Sequence, residues 1–165
     1  KDNSLIKNEI LEKYPNLIVV KSISKSYGVP GLRLGILSSS NKDLISFIKK
    51  DVSIWNINSF AEFYLQIAEK YQKDYVSACE EFKKERERFK CELKKIKSLT
   101  VFDSEANYFL IKLKTLDAKE TAIKFLEKDI LIKDLTKKVG KEYIRIAIRN
   151  KEDNDRFLKK LKEVI

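Results

Sequence analysis

A fourteen-residue segment, SISKSYGVPGLRLG at residues 22–35, constrains the fold of this chain more than any other stretch. It contains three of the four glycines and one of the two prolines, so both the most flexible and the most rigid backbone residues are concentrated in it. The apolar runs at 17–20 and 32–37 have the length and β-branching of buried strands. We therefore predict a functional loop between two buried strands.

Lys25 and Arg33 lie on this predicted connection. A lysine attacks a carbonyl carbon only when it is neutral, which requires desolvation or a neighbouring positive charge. We expect a partly buried, glycine-rich loop beside an arginine to provide both. Ser22, Ser24 and the fork of Arg33, together with backbone N–H groups, are suited to bind a phosphate dianion. An amine nucleophile beside a phosphate site suggests pyridoxal phosphate as the cofactor.

The pattern S-x-S-K-x-x-G-x-x-G-x-R-x-G resembles the cofactor-lysine signature of the class I/II pyridoxal-phosphate aminotransferases. The resemblance implies that Lys25 is the catalytic lysine and binds the cofactor covalently. It also implies that Arg33, eight residues further on, binds the cofactor phosphate together with Ser22, three residues before the lysine. A basic turn between two buried strands, without a catalytic role, is the alternative.

The length of 165 residues gives room for one domain or two small ones. The aminotransferase fold needs roughly twice this length or more, on a prior of about 100–200 residues for each of two domains. We therefore expect the chain, which starts at Lys1 and contains no methionine, to be the C-terminal part of a larger enzyme. By resemblance, an upstream carboxylate, a ring-stacking aromatic residue and a first phosphate loop would complete the cofactor site.

The chain is basic, with 35 lysines and arginines against 25 acidic residues and a formal net charge of +10. Such an excess can indicate nucleic-acid binding. Acidic and basic residues alternate along most of this chain, so we expect a solvated, salt-bridged surface and no nucleic-acid partner. No apolar stretch approaches the length of a membrane span and no signal-peptide pattern is present, so we expect no membrane association.

The two cysteines, Cys79 and Cys91, are twelve residues apart in what the sequence predicts to be one helix. A disulfide bond between them is not expected, which favours a reducing, cytoplasmic setting. Since the chain also contains no histidine, we expect no zinc site or other metal site.

The first third of the chain predicts two helices beside the strands. One covers residues 4–14 and ends at Pro15, and the other begins after an N-cap at 40–41 and ends near Lys50. By resemblance, residues 1–59 are the end of the large, cofactor-binding domain of a fold-type-I enzyme.

The segment VSIWNINS at 52–59 contains the only tryptophan. Composition alone favours Trp55 as a packing anchor in a linker. The sequence W-N-I-N-S-F-A is similar to the segment near the active-site mouth of histidinol-phosphate aminotransferases and threonine-phosphate decarboxylases. This resemblance makes Trp55 and Asn58 candidate contacts of the substrate.

An apolar stripe runs from Phe60 to Ile96 at spacings of three and four residues. It predicts one long amphipathic helix, or two joined near Lys73, packed on its own chain. A coiled-coil dimer is the alternative, but Arg86 interrupts the stripe and aromatic residues outnumber Leu and Ile in it. By resemblance, residues 60–97 form the interdomain helical segment, and the full-length enzyme is a homodimer.

Residues 98–165 predict a compact α/β unit with two layers. Capping-box signals at Asp117 and Asn150 begin two helices, and the last helix should bury Phe157, Leu158, Leu161 and Val164. Strand patterns cover residues 99–102, 108–113, 130–133 and 143–148. The unit resembles the small C-terminal domain of the same aminotransferases.

The run YIRIAIR at 143–149 alternates, which places Arg145, Ala147 and Arg149 on one face of a strand. From the pattern alone, a strand arginine is usually a surface residue. The longer sequence YIRIAIRNKEDNDRFL resembles the C-terminal motif of the family, which implies that Arg145 binds the substrate α-carboxylate. The role of Arg149 is left open.

Two further segments resemble the histidinol-phosphate aminotransferase group: SEANYFL at 104–110 and ILIKD at 130–134. In the second, the family has an arginine that helps bind the substrate phosphate, and here that position is Lys133. Lysine keeps the charge but lacks the bidentate fork, so a phosphorylated substrate is compatible with this position without being required.

Taken together, the resemblance implies an α/β chain that forms the C-terminal portion of a fold-type-I pyridoxal-phosphate enzyme. The implied activity is amino-group transfer between an amino acid, with or without a phosphate group, and a 2-oxo acid, both of them small-molecule substrates. A threonine-phosphate-type decarboxylase is the alternative enzyme, because the same cofactor supports both reactions. A folded interaction module without activity is the alternative outside enzymes.

Overall fold

The computed structural model of the chain describes residues 4–165. It is an α/β structure with two compact units, Lys1–Tyr75 and Val76–Ile165. The boundary between the units falls inside the predicted interdomain segment 60–97, while the functional division of the chain at residues 59 and 97 stays a prediction. No helix within residues 4–165 combines the length and the apolar character that crossing a membrane requires.

The first unit begins with short elements and ends in helices. Its elements are α1 (Asn8–Lys13), β1 (Val19–Ser22), α2 (Ile23–Ser26), a 3₁₀ turn (Pro30–Leu32), β2 (Gly35–Ser38), α3 (Lys42–Asp51), α4 (Ser59–Ala68), a second 3₁₀ turn (Glu69–Tyr71) and the start of α5 (Gln72–Lys94). The predicted N-cap at 40–41 is confirmed, because the Asn41 side chain accepts a hydrogen bond from the N–H of Leu44 at 2.9 Å. Helix α1 is shorter than the predicted 4–14.

Strands β1 and β2 pair antiparallel with each other, with Ser22 opposite Gly35. Both start later than predicted, and the prediction that they are buried is wrong for this chain: Val20 is 75% exposed and Ile36 is also exposed. The physical reason is that a strand is buried by the layers that cover its faces. Among residues 4–165, β1 and β2 have only each other as strand neighbours.

The second unit is a four-stranded antiparallel sheet with helices. Its strands and remaining helices are β3 (Leu99–Val101), β4 (Tyr108–Leu113), α6 (Ala118–Leu126), β5 (Lys133–Asp134), β6 (Tyr143–Ala147) and α7 (Lys151–Val164). The strand order in the sheet is β3-β4-β6-β5. Alternation along β4 and β6 buries one face of the sheet, including Phe109, Ile111, Ile144 and Ile146, and leaves the other face accessible.

The core of the second unit includes residues from the C-terminal half of the apolar stripe. Phe89 and Leu93 of α5 are almost fully buried within it, so the prediction of an amphipathic helix packed on its own chain is confirmed for this part of the stripe. It is not confirmed at the start of the stripe, where Phe60 is 80% exposed. The Phe157 ring of α7 lies edge-on to Phe89 at 5.9 Å and stacks on Phe125 at 5.0 Å between centroids. The 3₁₀ turn that ends at Tyr71 confirms two helices joined near residue 73.

The predicted strand over residues 130–133 is wrong for most of its length, because only Lys133 and Asp134 pair as β5. Asp129 adopts a left-handed conformation with φ of 58°, and the N–H of Ile130 bonds to the carbonyl of Phe125. This is the hydrogen bond that closes a helix C-terminus, so the first residues of the predicted strand instead terminate α6. Leu131 is 88% exposed as a result.

Candidate functional site

Lys25 lies on the four-residue helix α2, directly after β1. The connection that was predicted as a loop therefore contains one helical turn and the 3₁₀ turn Pro30–Leu32. Gly28 between them has a φ of 69°, a conformation that favours glycine. The Lys25 side chain is exposed, so the expected partial burial of this lysine is wrong for the described chain.

Ser24 is the buried residue of this segment, with only 1% of its surface exposed. Its hydroxyl accepts a hydrogen bond from the N–H of Leu34 at 2.8 Å and donates one to the carbonyl of Leu34 at 3.1 Å. The Ser24 carbonyl accepts the N–H of Val29 at 2.7 Å. Because the hydroxyl proton is committed to Leu34, Ser24 maintains the backbone conformation here, and its predicted phosphate contact stays a prediction.

Arg33 follows the 3₁₀ turn in a left-handed conformation, with φ of 56° and ψ of 39°. This conformation is uncommon for a residue with a side chain, and such residues cluster at functional sites. Ser22, Lys25 and Arg33 are all exposed. Among residues 4–165, neither cation forms an ion pair and the Ser22 hydroxyl has no hydrogen-bond partner, so all three side chains are available to a ligand.

Asn58, from later in the first unit, supports this segment. Asn58 caps α4 by accepting the N–H of Ala61 at 2.9 Å, and its amide donates to the carbonyl of Leu32 at 3.1 Å. Asn58 thus has a structural role in the described chain, and its substrate contact stays a prediction. Trp55 is 88% exposed, so within the described residues the interpretation of this side chain as a packing anchor is wrong.

Tyr75, at the start of α5, holds the other side of α2. Its ring stacks on Tyr27 with centroids 4.4 Å apart, and its hydroxyl donates to the carbonyl of Ser26 at 3.3 Å. Sequence reasoning assigned Tyr75 only to the apolar stripe. Its contacts with residues adjacent to Lys25 could not be read from helical spacing.

The second unit contains a separate group of candidate residues on the accessible face of its sheet. Arg145 on β6 lies directly opposite Lys133 on β5, and both side chains are exposed. Directly opposed like charges on neighbouring strands are destabilising. In the part of the chain that the structure describes, neither residue forms an ion pair with a carboxylate. Arg145 and Lys133 are therefore two adjacent cations that no carboxylate of the described chain neutralises, and such a pair can bind an anion.

The other flank of Arg145 is formed by β4. Leu110 lies directly opposite it, and the guanidinium carbon of Arg145 is 4.8 Å from the centroid of the Tyr108 ring. Tyr108 was recognised from the sequence only as part of the SEANYFL strand. An aromatic residue and an arginine at diagonal positions of adjacent strands would have pointed to the contact between Tyr108 and Arg145. Recognising these diagonal positions requires the register between β4 and β6, which the sequence alone does not provide.

Arg149 does not belong to this sheet face, because β6 ends at Ala147. Its guanidinium donates to Asp153 at 2.7 Å, and the buried Asn154 side chain bonds both its N–H and its carbonyl. The expectation that Arg149 shares the face of Arg145 is therefore wrong. Arg149 belongs to the start of α7.

Asn154 also connects α7 to α5, because its amide donates to Glu85 at 2.7 Å. Arg88 donates two hydrogen bonds of 2.7 Å to Glu85. These bonds from Arg88, with a weaker contribution from Asn154, hold the pKa of the Glu85 carboxyl below its usual value despite partial burial. The network fixes the chain that leaves β6, the strand of Arg145.

Comparison with known proteins identifies the protein family of the chain. Residues 6–161 match the model of the family "Aminotransferase class I and II". The chain belongs to this family, whose members are pyridoxal-phosphate-dependent enzymes.

Particular relatives place the chain more closely. It is 32% identical over 155 residues to the histidinol-phosphate aminotransferase of Methanocaldococcus jannaschii, covering 93% of this chain and 41% of the relative. It is 33% identical over 162 residues to the L-serine phosphate decarboxylase of Sulfurospirillum multivorans, covering 94% of this chain and 41% of the relative. The crystal structure of the histidinol-phosphate aminotransferase from Clostridium acetobutylicum superposes with a TM-score of 0.84 at 31% identity, covering 93% of this chain and 47% of that chain.

These similarities confirm the family, the fold class and the subgroup predicted from the three sequence motifs. The chain spans about two-fifths of the length of the curated relatives that it matches. The relatives include both an aminotransferase and a phospho-amino-acid decarboxylase, so the family contains enzymes of both reactions.

Proposed function

We propose that this chain is the C-terminal part of a pyridoxal-phosphate-dependent aminotransferase, and that the whole enzyme moves an amino group between an amino acid and a 2-oxo acid. The observation that carries the proposal is the Lys25 segment. It contains the complete signature, and Ser22, Lys25 and Arg33 are exposed on it without partners among residues 4–165. The similarity to histidinol-phosphate aminotransferases supports it.

The side chains of this segment fit the cofactor chemically. A primary amine is the group that reacts with the pyridoxal aldehyde, and an arginine fork with a hydroxyl suits its phosphate. We assign these roles to Lys25, Arg33 and Ser22, and we assign Ser24 to holding the segment in shape. When bound, the cofactor acts as an electron sink for bonds broken at the substrate Cα.

The residues of the chain would then divide the remaining tasks. Lys25 Nζ takes the proton from the substrate Cα as a general base. Arg145 binds the substrate α-carboxylate through two N–H groups and so sets which bond at Cα is broken. Lys133, directly across from it, attracts a second anionic group such as a phosphate.

A phospho-amino-acid decarboxylase is the second candidate function. The observation that favours it is the 33% identity to an L-serine phosphate decarboxylase. The unneutralised pair of Arg145 and Lys133 is compatible with such a substrate, which carries both a carboxylate and a phosphate. The homodimeric state of the full-length enzyme and its cytoplasmic setting also remain predictions.

The test is an assay of the whole enzyme, with the upstream cofactor-binding part joined to this chain. The enzyme is supplied with pyridoxal phosphate, 2-oxoglutarate and a panel of amino acids that includes L-serine phosphate and its unphosphorylated analogue. Formation of glutamate without carbon dioxide supports the aminotransferase. Release of carbon dioxide without glutamate supports the decarboxylase, and formation of neither product across the panel would overturn both.

A further inference from the structure

We propose that Tyr108 is a positioning residue for Arg145, an inference that rests on the proposed function. Its ring holds the Arg145 guanidinium on the β4 side of β6, away from Lys133. The two cations can then bind two separate anionic groups of one substrate, an α-carboxylate at Arg145 and a phosphate or second carboxylate at Lys133.

The sheet order supplies the first step. β6 lies between β4 and β5, so the Arg145 side chain has Lys133 on one flank and the side chains of β4 on the other. Leu110 is directly opposite on β4, and Tyr108 is two residues before it, at a diagonal position. The guanidinium carbon is 4.8 Å from the Tyr108 centroid, so the arginine side chain reaches this diagonal ring. A distance below about 6 Å is characteristic of cation–π contact.

The second step is electrostatic. Lys133 and Arg145 are like charges at directly opposed positions, an arrangement that is unfavourable unless the charged groups move apart or an anion binds. The contact with Tyr108 places the guanidinium against a side chain of β4, on the opposite flank from β5. With the guanidinium of Arg145 and the amine of Lys133 apart, each cation can bind a different anionic group, and the two do not share one anion.

The third step concerns geometry at the guanidinium. A guanidinium that stacks on an aromatic ring keeps its N–H edge free, and that edge is what binds a carboxylate in a bidentate manner. Leu110, the residue directly opposite, has no side-chain acceptor that could occupy the edge. Tyr108 thus restricts the orientations of Arg145 without competing for its donors.

A neighbouring pair on the same strands provides a comparison. The Lys112 amine on β4 lies 5.6 Å from the ring of Tyr143 on β6, but it is also 3.7 Å from the Glu142 carboxylate. That cation is neutralised by the protein, whereas Arg145 has an aromatic contact and, among residues 4–165, no carboxylate. Tyr143 is therefore the matched control for loss of an aromatic ring from this face.

The experiment has two readouts, one of which does not depend on activity. In the 165-residue chain, NMR of the Arg145 side chain should show δ-proton signals shifted upfield by the ring current. We expect Tyr108→Phe to keep this shift, Tyr108→Leu to remove it and Tyr143→Leu to leave it unchanged. Absence of the shift in the wild type, or its persistence in Tyr108→Leu, would overturn the inference.

The second readout is steady-state kinetics of the whole enzyme. Tyr108→Leu should raise KM for amino-acid substrates by about 3- to 30-fold, the range that one cation–π contact supports, with kcat changed less than twofold. Tyr108→Phe and Tyr143→Leu should stay close to the wild type. Equal KM values in Tyr108→Phe and Tyr108→Leu would contradict the positioning role. A wild-type enzyme that binds no cofactor and turns over no amino acid would instead overturn the proposed function, and with it the substrate role of Tyr108, while the ring-current result would stand.

Discussion

Ser24 and Leu34 are joined by two hydrogen bonds between the side chain of one residue and the backbone of the other. Ser24 Oγ accepts the Leu34 N–H at 2.8 Å and donates to the Leu34 carbonyl at 3.1 Å. Ser24 directly precedes Lys25, and Leu34 directly follows Arg33. The two side chains that we assign to the cofactor are therefore each next to one end of a buried clamp, which restricts the distance between their backbones.

Replacing Ser24 by Ala should destabilise the protein by about 1–3 kcal/mol, because the buried Leu34 N–H would lose its partner. The measurement is the free energy of unfolding from urea titration followed by circular dichroism. Ser26→Ala is the control, since Ser26 is exposed on the same short helix, and we expect a change within about 0.5 kcal/mol. Equal stabilities of the two variants would show that the clamp contributes nothing.

Arg145→Lys should weaken the binding of all amino-acid substrates to a similar degree, because every one carries the α-carboxylate. The expected loss is about 1.5–3 kcal/mol of transition-state stabilisation, the value of a hydrogen bond to a charged group. Lys133→Ala should lower kcat/KM for phosphorylated substrates and leave unphosphorylated ones nearly unchanged.

The quantity that separates these two roles is the ratio of kcat/KM for a phosphorylated amino acid to that for its unphosphorylated analogue. It should be unchanged in Arg145→Lys and reduced in Lys133→Ala. If the ratio shifted with Arg145→Lys but not with Lys133→Ala, both assignments would be overturned together.

Acid should weaken the α5–α7 network through Glu85. The hydrogen bonds from Arg88 lower the pKa of this carboxyl in the folded protein, so its stabilising contribution is complete above the unfolded-state pKa of about 4.3 and is lost as the pH falls below it. Glu85→Gln should make the urea midpoint less dependent on pH in this range. Glu81→Gln, at an exposed position of the same helix, is the control and should keep the wild-type dependence.

The 165-residue chain by itself should bind pyridoxal phosphate poorly. Lys25 is exposed in it, and the chain matches only about two-fifths of the length of its relatives. Titration with the cofactor should therefore give no saturable absorbance band that distinguishes the wild-type chain from Lys25→Ala. A micromolar dissociation constant that disappears in Lys25→Ala, together with turnover, would contradict this expectation.

Local signals in the sequence predicted much of the fold. Asn41 and Asn150 were recognised as helix caps, and both side chains accept the expected backbone N–H. The strand 108–113 was predicted with the observed bounds. These features depend on residues close together in the sequence, which is why the pattern was sufficient.

Features that depend on distant contacts were not predicted. The apolar runs around the Lys25 segment were assigned to buried strands, but apolar runs indicate only what could be buried, and covering layers decide the outcome. The prediction of a strand over 130–133 was wrong because Asp129 and Ile130 instead form the C-terminal cap of α6.

The candidate residues themselves were found from motifs, but their arrangement was not. The opposition of Lys133 and Arg145 depends on the register of a two-residue strand, which no local pattern fixes. The Ser24 hydroxyl was interpreted as a phosphate ligand because hydroxyls suit phosphates. Its burial against Leu34, ten residues away, could be seen only in the structure.

The most direct test of the central claim is to identify the residue that carries the cofactor. The whole enzyme is incubated with pyridoxal phosphate, reduced with sodium borohydride, digested and analysed by mass spectrometry, in parallel with Lys25→Ala. We predict one stoichiometric pyridoxyl group on the peptide that contains Lys25 and none in the variant, which would also lose nearly all turnover. A stoichiometric label on another lysine of the wild type, or an undiminished label in Lys25→Ala, would contradict the assignment.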